Sequence, residues 1–197
     1  RDESRGCGFA ESISFPQTIE QAQEEIKALA AARAPVTVQG ARTGICGGAV
    51  PAGGHILNLT RLKGITGLRQ DAGGNFFLTV QPGVTLQDLE AGIGLRRFDT
   101  QGWSQESKDA LAALWTAPPV RFAPDPTEGS ATIGGAFACD AQGLNAMEAG
   151  SVGSHVEAIL VCLPDGRVWE LERGRYRFEA NGCPLPEGGW LPVASVE

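Results

Sequence analysis

The sequence predicts a single loop-rich globular domain that mixes helices and strands. Three observations carry this. From Thr18 to Val50 an amphipathic helical pattern stops at Pro35, and a β-branched run, Val36-Thr37-Val38, then enters a glycine loop. Two turn signals, Asp71-Ala72-Gly73-Gly74-Asn75 and Pro164-Asp165-Gly166, each separate short apolar runs, as hairpins require. The 197 residues include 27 glycines and 12 prolines, with no repeat period and no low-complexity tract.

Composition also excludes function classes. A net charge of -7 leaves no basic footprint for nucleic acid. No apolar run approaches the roughly 20 residues of a membrane helix. The first residue is Arg1 and no signal peptide is visible, so the chain is expected to begin inside a longer protein. Cys7, Cys46, Cys139, Cys162 and Cys183 are scattered and form no Cys-x-x-Cys pair. Zinc and iron–sulfur ligation are therefore not expected, and reduced cysteines in the cytoplasm are.

Arg1 to Phe15 shows no period and reads as a lead-in. Thr18 to Gln21 fits a capping box, with Gln21 reaching back to the cap. Ile19, Ala22, Ile26, Leu29 and Ala30 then form the expected buried stripe of a helix. Strands follow at Val36–Gln39 and His55–Leu59. Leu62 to Leu68 adds a short helical turn and a strand. Phe76–Val80 returns as the second arm of a hairpin and stops at Pro82-Gly83. Thr85 starts a second helix with Leu86, Leu89 and Ile93 on one face. Ser104 to Trp115 is expected as a third, with Leu111, Leu114 and Trp115 clustered. Val156–Leu163 and Val168–Leu171 flank the turn at Pro164-Asp165-Gly166, where proline presets φ and glycine accepts a positive φ. Beyond Gly174, prolines at 184, 186 and 192 argue against a packed ending, and the chain is expected to stop before a natural domain end.

Two stretches carry chemistry. The loop Gly40 to Gly48 follows a strand and is rich in glycine, so its backbone can turn sharply and approach an anion closely. Such loops also serve as plain turns. The second stretch, Phe122 to Gly143, holds rigid prolines, then Thr132-Ile133-Gly134-Gly135, then small residues that suit packing against something flat or extended. His55 and His155 have no partners that spell a triad and read as structural. Cys46 and Cys139 read as small, buried and unreactive. Asp125 and Glu128 read as turn-shaping, and the four tryptophans show no periodic spacing.

Taken in order, several short motifs resemble one family. They are Pro16 to Glu20, Gly40 to Gly48 with Ala49-Val50-Pro51, Leu57-Asn58-Leu59, Val80-Gln81-Pro82-Gly83-Val84, Pro124-Asp125-Pro126, Thr132 to Gly135, Gly150-Ser151-Val152 through Val156, and Leu163 to Gly166. The ordered set resembles the FAD-binding domain of the vanillyl-alcohol oxidase / p-cresol methylhydroxylase (PCMH) superfamily, on the branch of glycolate oxidase FAD subunits and D-lactate dehydrogenases. The resemblance runs from about Ser14 to Leu171. It implies an α+β fold of two lobes: a small βαβ-like lobe, residues 1–64, and a larger, mainly antiparallel lobe with flanking helices, residues 65–197. The whole chain would be an FAD-binding domain incomplete at both ends.

By the same resemblance FAD lies extended between the lobes. Gly40, Ala41, Arg42, Thr43 and Gly44 would hold the pyrophosphate through backbone N–H groups, with Ile45, Gly48, Pro82 and Pro124 in the same cofactor-binding set. Thr132, Ile133, Gly134, Gly135, Ala138 and Gly143 would border the flavin. Gly150 and Val156 would lie near the flavin or the adenine–ribose part. The loop departs from the common pattern at Ala41 and Arg42, where glycine is usual. It carries no histidine for covalent attachment, which implies non-covalent FAD. The implied activity is oxidation of a small 2-hydroxyacid with hydride transfer to flavin N5. The substrate pocket would be built largely by a cap domain outside this chain, so no catalytic base is named. An iron–sulfur partner or a quinone would take the electrons, and a station at the inner membrane face is compatible with that. Two alternatives stand beside it: an enolpyruvyl reductase-like flavoenzyme that uses NADPH, and a non-catalytic nucleotide- or partner-binding module.

Overall fold

A computed structural model describes residues 1–124, 127–177, 179 and 182–191. Asp125 and Pro126, from the motif Pro124-Asp125-Pro126, and Pro192 lie outside the described residues. The first layer is a three-stranded parallel sheet. Its strands are β1 (Ser12–Ser14), β2 (Val36–Gln39) and β3 (His55–Asn58), in the order β1-β3-β2. Helix α1 (Ile19–Ala31) crosses from β1 to β2, and β3 fills the gap between them, level with both at His55, Ile56 and Leu57. Parallel neighbours need such a crossover. β1 escaped the sequence reading because three residues with two serines carry no apolar period.

The start of α1 differs from the expected box by one residue. Thr18 Oγ1 accepts the Gln21 N–H at 3.2 Å, but Gln21 Oε1 accepts from Gln17 N–H at 2.8 Å rather than from the cap itself. The helix stripe is also shallower than its spacing suggests. Only Ala22 is buried; Ile19, Ile26 and Leu29 are half-buried and Ala30 is exposed. A narrow three-stranded sheet cannot cover the full stripe. Beneath α1, His55 is buried, with Ser12 Oγ 2.8 Å from Nδ1 and Ser14 Oγ 2.8 Å from Nε2. Its role is to join β1 to β3.

Antiparallel pairs follow. β4 (Ile65–Gln70) and β5 (Phe76–Val80) form a hairpin whose turn is closed by Asp71, with Oδ1 accepting Asn75 N–H at 2.8 Å and Oδ2 accepting Asn75 Nδ2 at 2.9 Å. Helix α2 (Leu86–Leu95) is capped by Thr85 Oγ1 on Asp88 N–H at 3.1 Å. Helix α3 (Gln105–Thr116) is capped by Ser104 and packs on β4, where Ser107 Oγ accepts the Leu68 N–H at 3.2 Å. The core here joins Leu68, Trp103, Ala110, Leu111 and Leu114, with Phe76, Leu78 and Phe98 around them. Trp103 donates from Nε1 to Ile65 O at 2.8 Å, so the indole is both packed and satisfied. Trp115, placed by spacing on the same buried face, is instead 61% exposed.

Two helices were not expected. The glycine-rich stretch contains a short helix, α4 (Ile133–Ala138), and a single further turn, α5 (Ala146–Ala149). Paired glycines are poor helix formers, and the Thr132 side chain makes no cap bond. The missing cap is supplied by tertiary partners: Ile133 N–H donates to Val84 O at 2.8 Å and Gly134 N–H to Pro82 O at 3.0 Å. Leu86, Ala136 and Val152 form the second buried cluster. β6 (Ala158–Cys162) and β7 (Val168–Glu172) make the second hairpin, with Gly166 at φ +85° in its turn. The C-terminal stretch is less irregular than its prolines suggest: β8 (Cys183–Pro184) pairs with β9 (Trp190–Leu191), and Cys183 is buried.

The contrast between Leu114 and Leu95 tests this packing. Leu114 is 2% exposed and Leu95 is 76% exposed. Leu114→Ala is expected to lower the unfolding free energy by about 2–5 kcal/mol, and Leu95→Ala by no more than about 0.5 kcal/mol, in urea titrations. Equal effects would contradict the assigned core.

Candidate functional site: a glycine loop held against a short helix

The glycine loop leaves β2 and is fastened at both ends. Buried Gln39, the last residue of β2, donates from Nε2 to Ala49 O at 2.6 Å, closing the loop across its base. Buried Asn58, the last residue of β3, donates from Nδ2 to Gly40 O at 3.4 Å. Its Oδ1 accepts the Thr60 N–H at 3.0 Å and the Thr60 hydroxyl at 2.5 Å. Between these anchors the loop is open. Among the described residues, no protein acceptor takes the N–H groups of residues 41–48. Nothing lies within 4 Å of where a Cβ would stand on Gly44 or Gly48, and Ile45 is 76% exposed. A run of unpaired N–H groups on an open loop is the geometry of an anion cradle.

Arg42 adds a second feature. It stands at φ +64°, in the left-handed region, where glycine is the unstrained choice. With Ala41 it lines a cavity of about 330 Å3 shared with Arg1, Asp2, Glu3 and Arg5. Three arginines and two carboxylates leave this rim positive by one charge. Asp2 is held ionised: its carboxyl lies below the usual range, chiefly because the Ser4 hydroxyl bonds to it.

The second expected stretch meets the first at one point. A Cβ on Gly40 would stand 2.2 Å from Thr132 Oγ1, well inside contact distance, so only glycine fits. Thr132 is buried, and its hydroxyl is also 3.2 Å from the Cβ position of Gly135. A Cβ on Gly134 would stand 2.6 Å from Pro82 Cβ. Residues 82–87 run antiparallel to 129–134, through Leu86 N–H to Ala131 O at 2.9 Å, Gln87 N–H to Gly129 O at 2.9 Å, and the Thr85–Thr132 bridge. Gly40, Pro82, Thr132, Ile133, Gly134 and Gly135 are thus brought together, with Ala41, Thr43, Gly44, Ile45 and Gly48 on the open loop beside them.

The remaining expected residues stand farther along. Gly135 and Ala138 share an exposed flank of α4, a helix roughly 9 Å long by its rise per residue. At its far end Val152 N–H donates to Ala141 O at 3.0 Å and Gly153 N–H to Asp140 Oδ1 at 2.8 Å. Gly150 (φ +79°) and half-buried Val156 flank that end, not the glycine loop. Gly143 accepts the Ala146 N–H through its carbonyl at 3.1 Å, and Pro124 is fully buried.

Two expectations need correction and several residues were overlooked. Cys46 and Cys139 are exposed, not buried. Cys46 sits on the open loop. Cys139 is the C-cap of the exposed flank of α4, and its thiol donates to Gly135 O at 2.8 Å. His155 is exposed and tied by Nε2 to Ala149 O at 2.7 Å. Gln39 and Asn58 were missed as anchors. The available signal was a polar residue closing an apolar strand in each case. Gly83 was also missed: a Cβ there would stand 2.3 Å from Leu59 O, and its N–H donates to Leu62 O at 2.7 Å. No group of three or more potential metal ligands occurs among the described residues. Nor is any helix among them long and apolar enough to cross a membrane.

Gly40→Ala is expected to lower the melting temperature by several degrees, because the Thr132 hydroxyl blocks the methyl group, whereas Gly44→Ala leaves it unchanged. Differential scanning fluorimetry of the two variants decides this, and an unperturbed Gly40→Ala protein would refute the close approach. Asp140 gives a pH test. Its carboxyl is held below the ordinary value, first by the Ser151 hydroxyl and then by the Gly153 N–H. A depressed folded-state pKa stabilises above the unfolded value of about 3.9, and the gain disappears as pH falls through the folded value. Asp140→Asn is therefore expected to be less stable than the parent at pH 7 and equal to it below that folded value. A deficit of the same size at both ends of the pH range would exclude the linkage.

Comparison with known proteins agrees with this geometry. Residues 10–98 match a family described as an FAD binding domain. The D-lactate dehydrogenase of Anaerostipes hadrus is 35% identical over 138 residues, covering 70% of this chain and 24% of that protein. An uncharacterised FAD-linked oxidoreductase of Mycobacterium tuberculosis is 29% identical over 154 residues, covering 78% of this chain and 28% of the relative. The chain thus spans about a quarter of the length of the curated relatives it matches. Among solved structures, a chitooligosaccharide oxidase superposes with a TM-score of 0.62 at 17% identity, covering 86% of this chain and 32% of the oxidase. An alkyldihydroxyacetonephosphate synthase gives 0.60 at 18%, covering 82% and 28%. These two likenesses bear on the fold alone. An α+β fold, a glycine loop with free N–H groups and these relatives point the same way: residues 10–98 match the FAD binding domain family, and the chain is similar to part of FAD-linked oxidoreductases, a D-lactate dehydrogenase among them.

Proposed function

We propose that this chain is the FAD-holding part of a dehydrogenase acting on a small 2-hydroxyacid of the glycolate or D-lactate kind. The observation that carries the reading is the run of unpaired N–H groups at residues 41–48, fixed beside Thr132 by the Gly40 contact. The D-lactate dehydrogenase relative supports the substrate class. When bound, FAD supplies a hydride acceptor at flavin N5.

In this reading residues 1–64 and 65–197 act as two lobes that grip the cofactor between them. Gly40, Ala41, Arg42, Thr43, Gly44, Ile45 and Gly48 direct N–H groups at the diphosphate. Pro82, Thr132, Ile133, Gly134, Gly135, Ala138 and Gly143 wall the flavin side, where small side chains allow a planar ring system to come close, and fully buried Pro124 can only support that wall from within. Gly150 and Val156 bound the far end of that wall. A cap domain beyond this chain shapes the hydroxyacid pocket, and an iron–sulfur protein or a quinone takes the electrons. FAD is held without a covalent bond, since the loop offers no histidine.

Arg42 gives the sharpest test. A left-handed conformation costs a non-glycine residue about 1–2 kcal/mol, while glycine costs about 0.5–1 kcal/mol in chain entropy. Arg42→Gly is therefore expected to raise stability by about 0.5–1 kcal/mol. If the guanidinium meets the diphosphate, the same change weakens FAD binding about tenfold, the worth of one charge-assisted hydrogen bond. Denaturant titration and flavin fluorescence quenching on the full-length protein read the two effects separately. Higher stability with unchanged FAD affinity would place Arg42 in solvent; no FAD binding by the parent protein would overturn the function itself. Acid precipitation is expected to release all the yellow colour, and colour kept in the pellet would refute non-covalent attachment.

A further inference from the structure

The groove between the end of α2 and the outer face of α3 belongs to neither wall of the cofactor site. It measures about 530 Å3. Leu95, Phe98, Leu111 and Trp115 give it an apolar lining, and Arg97 and Lys108 give it charge. Among the described residues no carboxylate lines it, although the protein as a whole carries a net charge of -7. Leu95 is 76% exposed and Trp115 61% exposed, so two large apolar side chains face solvent side by side with cations. Clustered exposed apolar groups of this kind mark interaction surfaces.

The groove is also rigid. Arg96, at φ +50°, ends α2 and turns its guanidinium onto the end of α3. It donates to Trp115 O at 2.6 Å, Ala117 O at 2.8 Å and Pro118 O at 3.1 Å, and Trp115 Nε1 donates back to Arg96 O at 2.8 Å. Those bonds engage Arg96 and fix the indole at the groove edge. Arg97 and Lys108 remain exposed and form no ion pair among the described residues. The match to the FAD-binding family stops at residue 98, where the segment that builds α3 begins. The groove therefore lies at the boundary of the matched cofactor domain, and half of it is built beyond that boundary.

We propose that this groove docks an acidic, amphipathic segment of a partner protein: apolar side chains against exposed Leu95 and Trp115, carboxylates on Arg97 and Lys108. Charge complementarity chooses this occupant. A basic segment would meet two uncompensated cations, and a purely apolar one would leave them beside a buried apolar surface. A preorganised wall also lowers the ordering cost of binding.

The test uses the full-length protein and a synthetic 12-residue peptide in which Asp and Glu alternate with Leu and Phe. Its controls are the same peptide with Lys in place of the acids, and vesicles of anionic phospholipid. Titration calorimetry is expected to show the acidic peptide binding and weakening with added salt. The Arg97→Glu/Lys108→Glu variant, whose substituted residues are exposed, is expected to bind at least tenfold more weakly with an unchanged melting temperature. Leu95→Ser is expected to weaken binding without changing the salt dependence. The proposal fails if the acidic peptide does not bind, if the lysine peptide binds as well, if the charge-reversed variant binds equally, or if only the vesicles bind.

Discussion

Everything about the site depends on one steric constraint, the approach of Gly40 to Thr132. The Cβ that glycine lacks would stand 2.2 Å from the threonine hydroxyl. No other residue lets the end of β2 come so near the start of α4. The constraint joins two stretches about ninety residues apart and sets the open loop beside the wall formed by α4. Gly83 and Gly134 repeat the device nearby, against Leu59 O and Pro82 respectively. At each of these positions the close approach is possible only because the residue carries no side chain.

Around that contact the forces divide cleanly. The parallel sheet supplies rigidity, and buried Gln39 and Asn58 carry it into the loop through single hydrogen bonds to Ala49 O and Gly40 O. The loop itself spends no intramolecular hydrogen bonds on its own N–H groups from 41 to 48 among the described residues. Its backbone donors are consequently available to an anion. At α4 the polarity reverses: Ile133 and Gly134 N–H groups are used up on Val84 O and Pro82 O. The helix therefore presents a small, exposed flank, and its first donors are already spent on protein carbonyls.

Much of this was legible in the sequence. The hairpins were plain because their turns have a chemistry of their own, as at Asp71–Asn75. The helices at Ile19, Leu86 and Gln105 were plain because caps and periodicity agree. The glycine loop was legible as an open turn leaving a strand, and the ordered motifs pointed to the FAD binding domain family that residues 10–98 match. What escaped depends on contacts distant in sequence. β1 pairs with β3, more than forty residues away, and His55 bonds to both of its serines. α4 begins where the Val84 and Pro82 carbonyls, some fifty residues earlier, accept its first N–H groups. Trp115 leaves the buried face because Arg96 and Trp115 exchange hydrogen bonds at the surface. The exposure of Cys46 and Cys139 likewise follows from where their loop and helix end, which residue type does not reveal.

Backbone hydrogen exchange with and without FAD reads the N–H groups of the loop themselves. FAD is expected to slow exchange across residues 41–48, while the amides of Ile133 and Gly134, already bonded to protein carbonyls, change little. Unchanged exchange at 41–48 in a protein that demonstrably holds FAD would contradict it, since the cofactor would then be held elsewhere than by this loop.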